Sequence, residues 1–322
     1  MPVAAPERTA SAAARVPGPR ERAGDRAFRW ALAGVGSLVI ALAVLVGVEL
    51  AIHSSHAWKE FGAAFLWTRE WDPVAERFGA LPFIFGTLAS SLMALLIAVP
   101  LGVGSAVFLA EMAPRRVSDV CCFLIELLAA VPSVILGLMG IFMLVPAVRA
   151  VEPWLTKALG FLPLFQGAPY GVGLLSASLI LAVMILPYIT VVAREVLLAV
   201  PRPLKEAMLA LGATRWEMVS KVSLPYARSG IIGAVFLSLG RALGETMAVT
   251  MVIGNTPRIS WSALDPAYSM ASVIANELAE AVGDMHLQAL IAVGLTLYVI
   301  TIAVNALARL MIYRIAGERI AA

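Results

Sequence analysis

The chain has 322 residues, 61% hydrophobic and only 14% charged, against roughly 45–50% and about 25% in an average soluble protein. One soluble core of this size cannot hide so many apolar side chains, which points to a bilayer as solvent. The formal net charge of +3 comes from basic residues dispersed between apolar runs, which argues against a nucleic-acid-binding stripe.

Residues 1–27 are rich in Ala, Arg and Pro, lack an apolar face and read as a disordered N-terminal tail. The run 28–52, Phe28 to Ile52, is longer than the ~7–15 apolar residues of a cleaved signal, so it reads as an uncleaved first span. In residues 53–80, Trp58, Phe61, Phe65, Trp67 and Trp71 alternate with charges. Two readings stand for this outer segment: an amphipathic helix at the headgroup level, or a small domain packed on the bundle.

Residues 81–313 hold five further stretches that can cross ~30 Å of hydrocarbon at ~1.5 Å per residue. They fall near Leu81–Leu109, Val120–Val145, Val172–Ala193, Gly230–Ile253 and Leu287–Ile312. Pro100, Pro132 and Pro187 lie inside them, where each removes a backbone hydrogen bond and can kink the helix. Glu126, in the third, could line an inner gate, but reads better as a snorkelled or helix-paired carboxylate. Glu152–Tyr170 and Asn255–Met285 read as outer loops or short helices, and 314–322 as a short tail. With the N-terminus inside, the Lys and Arg residues other than Arg241 divide seventeen on the inner side against six on the outer, which places both termini in the cytoplasm. Cys121 and Cys122 are adjacent and apolar in setting, and His53 with His56 make no metal site alone.

Between the fourth and fifth spans, residues 201–226 carry Glu206-Ala207-Met208, three residues, Gly212, nine residues, then Val222-Ser-Leu224-Pro225. Pro203 suits a helix start and Glu206 its first turn. Gly212 allows a sharp turn, Thr214 can cap a second helix, and Pro225 is expected to stop it. Leu204, Met208 and Leu211 fall at helical spacing. The hairpin either packs back on its own bundle or presents an apolar face to a partner.

The fifth span contains Arg241-Ala-Leu-Gly-Glu245-Thr246. Arg241 lies ~16 Å along a helix counted from Gly230, near mid-membrane, where an ion facing lipid costs ~2.5 to over 10 kcal/mol. Glu245 stands one turn further on the same face, so the two can pair, while Gly240 and Gly244 keep the surface thin. Either the pair locks the bundle, or a guanidinium fork waits for an oxyanion. Ser133, Thr246, Thr250 and Asn255 could add polar contacts along a path, though most such residues bond to backbone.

The 201–226 pattern resembles the EAA loop of ABC-importer permeases, usually Glu-Ala-Ala, three residues, Gly, nine residues, Ile, any residue, Leu-Pro. Met208 and Val222 are the departures, both apolar. The stretch from Arg241 to Asn255 is similar to the fifth span of C-type phosphate permeases, as are Trp71-Asp72-Pro73, Phe78-Gly-Ala-Leu-Pro82 and Pro100 to Glu111. The resemblance implies an all-α integral membrane protein of six transmembrane helices with the type I importer fold, in the cytoplasmic (inner) membrane. It implies that Glu206, Ala207, Met208, Gly212, Leu224 and Pro225 couple to an ATPase, and that Arg241 and Glu245, with Thr246 and Asn255, lie on a phosphate path. Implied partners are an A-type phosphate permease, a cytoplasmic ATPase dimer holding ATP and Mg, and an external phosphate-binding protein. The chain itself lacks a Gly-x-x-x-x-Gly-Lys-Ser/Thr loop, so it is expected to be no enzyme and to hold no cofactor. A sulfate or molybdate permease, or a secondary transporter or channel working without an ATPase, are the alternatives.

Overall fold

A computed structural model describes residues 19–317, so positions 1–18 of the expected disordered tail lie outside the described residues. By contacts the chain forms two units, residues 1–49 and 50–322. The first holds most of helix α1 (Pro19–His53), which begins ahead of the apolar run at a proline suited to a first helical turn.

Among the described residues the second unit carries five further segments long and apolar enough to cross a membrane: Leu81–Met112, Ser133–Leu159, Leu174–Leu198, Arg215–Leu243 and Asp284–Arg314. Two of them depart from expectation, each at a backbone break. Helix α4 (Arg115–Ala129) stops before Pro132, and α5 (Ser133–Met139) then runs through a π turn, Gly140–Leu144, into α6 (Val145–Leu159). Val120–Val145 is therefore not one span. Pro132 has no N–H with which to extend α4, and its ring pushes Val131 out of helical geometry. Glu126 consequently sits exposed on α4 instead of in a span. Glu152, expected in a loop, is buried on α6, where its Oε2 accepts the Gly171 N–H at 2.8 Å.

The fifth expected span is shifted as well. Helix α10 (Leu224–Leu243) ends at Leu243, Gly244–Thr246 is not helical, and a short α11 (Met247–Val252) follows. At its other end, α10 continues without interruption from α9 (Arg215–Met218) through a π turn, Val219–Ser223. Pro225 thus starts α10 and does not stop the helix before it. A proline ring clashes with the carbonyl four residues back, here that of Lys221, and the wider π turn holds that residue.

The centre of the bundle is α3 (Leu81–Val107, extended by a π turn to Met112) packed on α7 (Leu174–Leu198). Ser90, Ala94, Ala98, Gly102 and Ala106 recur every four residues and are all buried. Such a stripe of small residues lets two helices approach closely in lipid, where packing rather than hydrophobicity drives association. A Cβ on Gly102 would meet Ile189 Cγ2 of α7 at 2.8 Å.

At one end of the bundle, α2 (Ser55–Phe61) and the hairpin of β1 (Trp71–Asp72) and β2 (Arg77–Phe78) pack on α3, on α12 (Met270–Glu277) and on α13 (Asp284–Gly317). Ring centroids lie 4.9 Å apart for Trp71 and Phe78, 4.8 Å for Trp71 and Phe83, and 5.3 Å for Phe83 and Tyr268. Phe65, Phe78 and Phe83 are fully buried, so residues 53–80 form a packed layer and not a free helix on the headgroups. Burial pushes the Tyr268 phenol up to about 12. The chain before α12 folds against α3 so tightly that a Cβ on Gly86 would lie 2.2 Å from the Tyr268 carbonyl oxygen. Gly86→Ala is expected to destabilise the detergent-purified protein by about 3 kcal/mol, the upper end for overpacking. Gly104→Ala, whose Cβ meets nothing within 4 Å, should leave the thermal unfolding midpoint unchanged or raised.

Candidate functional site

The α7–α10 connection folds into the hairpin that its sequence suggests. Helix α8 (Arg202–Ala210) ends at Gly212, whose φ of +85° closes the turn. Thr214 then caps α9: its Oγ1 accepts the Glu217 N–H at 3.2 Å, and the Glu217 carboxylate accepts the Thr214 N–H at 2.9 Å. This reciprocal pairing satisfies two donors of the helix start.

The expected coupling residues divide into two groups. Met208 and Leu224 are half-buried against Leu197, Val219 and Ala227, so part of each side chain holds the hairpin to the bundle. Glu206, Ala207, Gly212 and Pro225 are exposed. Beside them stand exposed Leu204, Leu211 at 85% and Trp216 at 61%, an apolar rim that a soluble surface would not leave in water. Alanine at 212 would meet no atom within 4 Å, so its cost is the left-handed backbone alone, roughly 1–2 kcal/mol. Amide exchange across α8 and α9 should accelerate roughly 5- to 30-fold in Gly212→Ala and recover in Gly212→Asn.

The second feature lies where three backbone irregularities meet: the α4–α5 break, the α10–α11 break and Pro187 inside α7. Non-helical backbone at membrane depth persists only inside protein or beside a wet cavity. Arg241, in the last turn of α10, lays its guanidinium over the Tyr188 ring at 4.5 Å from the centroid. Tyr188 is about midway along the 25-residue α7, roughly 15 Å from its Leu198 end. That places Arg241 at mid-depth, as its position in the sequence suggests. The Tyr188 hydroxyl faces the Ala129 carbonyl at 3.5 Å, at the end of α4.

Arg241 and Glu245 do not pair: among the described residues no ion pair involves Arg241. The helix ends between them, so the one-turn spacing that would stack them is lost. Glu245 Oε1 instead accepts the Ala248 N–H at 3.4 Å, in the first turn of α11. Both residues still line one cleft of about 470 Å³ together with Tyr188, Leu237, Gly240 and Gly244. Thr246 does not line it; its hydroxyl donates to the Gly244 carbonyl at 3.3 Å. Asn255 is not there either. It caps the far end of α11 with φ +46°, Nδ2 donating to the Thr250 carbonyl at 2.9 Å and Oδ1 buried with no partner among the described residues.

Sequence reasoning missed Tyr188, which no spacing marks as the platform for Arg241. It also missed the small-residue stripe of α3, although its four-residue period is written in the sequence.

A multi-span bundle with broken helices around a mid-depth cation, and with an apolar hairpin at one end, is the architecture of a membrane permease subunit. Residues 98–317 match the family described as binding-protein-dependent transport system inner membrane component. The chain belongs to that family. It is 46% identical to the phosphate transport system permease protein PstC of Mesorhizobium japonicum over 90% of each chain. The PstC of Xylella fastidiosa is 43% identical, over 93% of this chain and 94% of its own length. These relatives bear out the resemblance to C-type phosphate permeases. The fold is shared with a bacterial ABC transporter involved in the import of the acidic polysaccharide alginate, at TM-score 0.57, 18% identity, and coverage of 91% of this chain and 99% of that one. The chain is thus an inner-membrane, multi-pass permease of the type I importer fold.

Proposed function

We propose that the chain forms half of a pathway through which an ATP-driven importer moves inorganic phosphate into the cytoplasm. The observation that carries this reading is Arg241: a mid-depth guanidinium stacked on Tyr188, without an ion partner among the described residues, in a cleft walled by glycine. Its planar donor fork fits the oxygens of a tetrahedral anion, and relatives at 43–46% identity are phosphate transport system permeases. Glu245 at the same cleft suits a cargo that keeps a hydroxyl, since a carboxylate accepts from protonated phosphate and repels a fully ionised competitor such as sulfate.

Both termini and the α8–α9 hairpin face the cytoplasm, following the excess of Lys and Arg on that side. Exposed Leu204, Leu211 and Trp216 dock on an ATPase dimer, which binds ATP and Mg. The cleft is open on this chain and is closed by a second permease of the A type, while the aromatic layer faces an external phosphate-binding protein. Closure of the ATPase dimer draws the hairpins together and turns the cleft outward. ATP-dependent uptake of labelled phosphate into proteoliposomes holding the whole complex tests the reading. Uptake that resists excess sulfate but yields to arsenate, a close tetrahedral analogue, supports it; transport of sulfate or molybdate instead refutes the phosphate assignment.

A further inference from the structure

The hairpin end of the bundle holds a charged pair that the cleft does not use. Glu111 lies in the π turn that ends α3, with its side chain 5% exposed, and Lys205 of α8, 15% exposed, places Nζ 2.8 Å from its Oε1. The same ammonium donates to the Leu197 carbonyl in the last turn of α7 at 3.2 Å. One side chain therefore ties the hairpin helix to the ends of both central helices. The π turn is gripped from another side too: Ser118 of α4 donates to the Leu109 carbonyl at 2.9 Å and accepts from Arg194 of α7 at 3.3 Å.

Apart from this pair, α8 holds the bundle weakly, for it has no fully buried residue and Met208 is only half-buried. Apolar contact is non-directional and slides, whereas a desolvated, charge-assisted hydrogen bond fixes a position. From Leu197 the same helix leads ~14 Å to Tyr188, on which Arg241 rests. The small-residue stripe of α3 meanwhile packs against α7. Displacing α8 would thus carry α3, α7 and the Tyr188 platform together.

We propose that the Lys205–Glu111 pair is the joint through which the hairpin moves α3 and α7 as one body and re-aims Arg241. Both are positioning residues, remote from the cargo. This rests on the reading that the hairpin docks an ATPase.

The test uses the whole complex in proteoliposomes and the double variant Lys205→Met with Glu111→Met. Replacing both partners leaves no buried charge unpaired, so assembly and the unfolding midpoint are expected to hold. Basal ATP hydrolysis should stay within about twofold while uptake per ATP falls at least tenfold, and the exchange Lys205→Glu with Glu111→Lys, which rebuilds the pair but not the bond from position 205 to the Leu197 carbonyl, should restore part of the uptake. A reporter independent of cargo accompanies it: Leu237→Cys in the cleft, with Cys121 and Cys122 changed to alanine, labelled by a thiol reagent with and without nucleotide. Nucleotide should change labelling in the parent and leave it unchanged in the double variant. An unaltered uptake-to-ATP ratio and labelling response in the double variant overturn the joint alone. Loss of assembly in the double variant, reversed by the exchange, makes the pair merely structural and also overturns it. A parent whose labelling ignores nucleotide overturns the ATPase-docking reading, and the joint falls with it.

Discussion

Arg241→Gln is expected to lower ATP-driven uptake at least 100-fold while the complex still assembles. The side chain is exposed to the cleft and has no ion partner within the described residues, so its removal strands no buried opposite charge. What is lost is a donor fork. A hydrogen bond from a charged group contributes about 1.5–3 kcal/mol, and two such bonds to one anion bring the loss to at least about 3 kcal/mol, or roughly two orders of magnitude. Arg241→Lys separates charge from shape: it keeps the cation but loses the fork and the stacking on Tyr188, so uptake should fall by about tenfold. Uptake assays on assembled complexes decide the matter. Wild-type rates in Arg241→Gln would mean that stacking on Tyr188 is all that the arginine does.

The second large effect concerns the hairpin. Leu211→Asp should prevent the ATPase from co-purifying and thereby abolish uptake. Leu211 is 85% exposed beside the Gly212 turn, so the substitution costs the isolated chain almost nothing. Burying a leucine against a partner contributes about 1.5–3 kcal/mol, and placing a carboxylate in the same apolar groove adds a desolvation penalty of several kcal/mol. Leu278→Asp, at a leucine 45% exposed just beyond α12, is the control and should leave ATPase binding within about twofold. Retention of the ATPase by Leu211→Asp would show that the hairpin docks through Glu206 and Ala207 without its apolar rim.

Much of this molecule is legible in its sequence, for reasons that are local. Apolar runs longer than a bilayer is thick define spans whatever their packing, which is why four of the six keep close to their expected places. The hairpin is legible because a capping threonine, a glycine and a proline act within a few residues of themselves; Gly212 at φ +85° and the Thr214–Glu217 box follow directly. A charge at mid-span is likewise legible, since lipid tolerates it only where it has work or a partner.

The sequence alone therefore determined the bilayer, the hairpin and Arg241, because hydrophobic length, capping and the cost of an intramembrane ion depend on neighbours along the chain. Only the tertiary structure decided where the helices break, since Val120–Val145 is as apolar across Pro132 as elsewhere, and Arg241, Glu245 and Thr246 around Gly244 read equally well as a one-turn pair on a continuous helix. It alone set Tyr188 beneath Arg241 and separated that arginine from Glu245, and it alone joined Lys205 to Glu111 and Leu197. These meetings depend on how α3, α7 and α10 lie against one another, and, the small-residue stripe of α3 apart, side-chain packing between distant segments leaves no period in the chain to read.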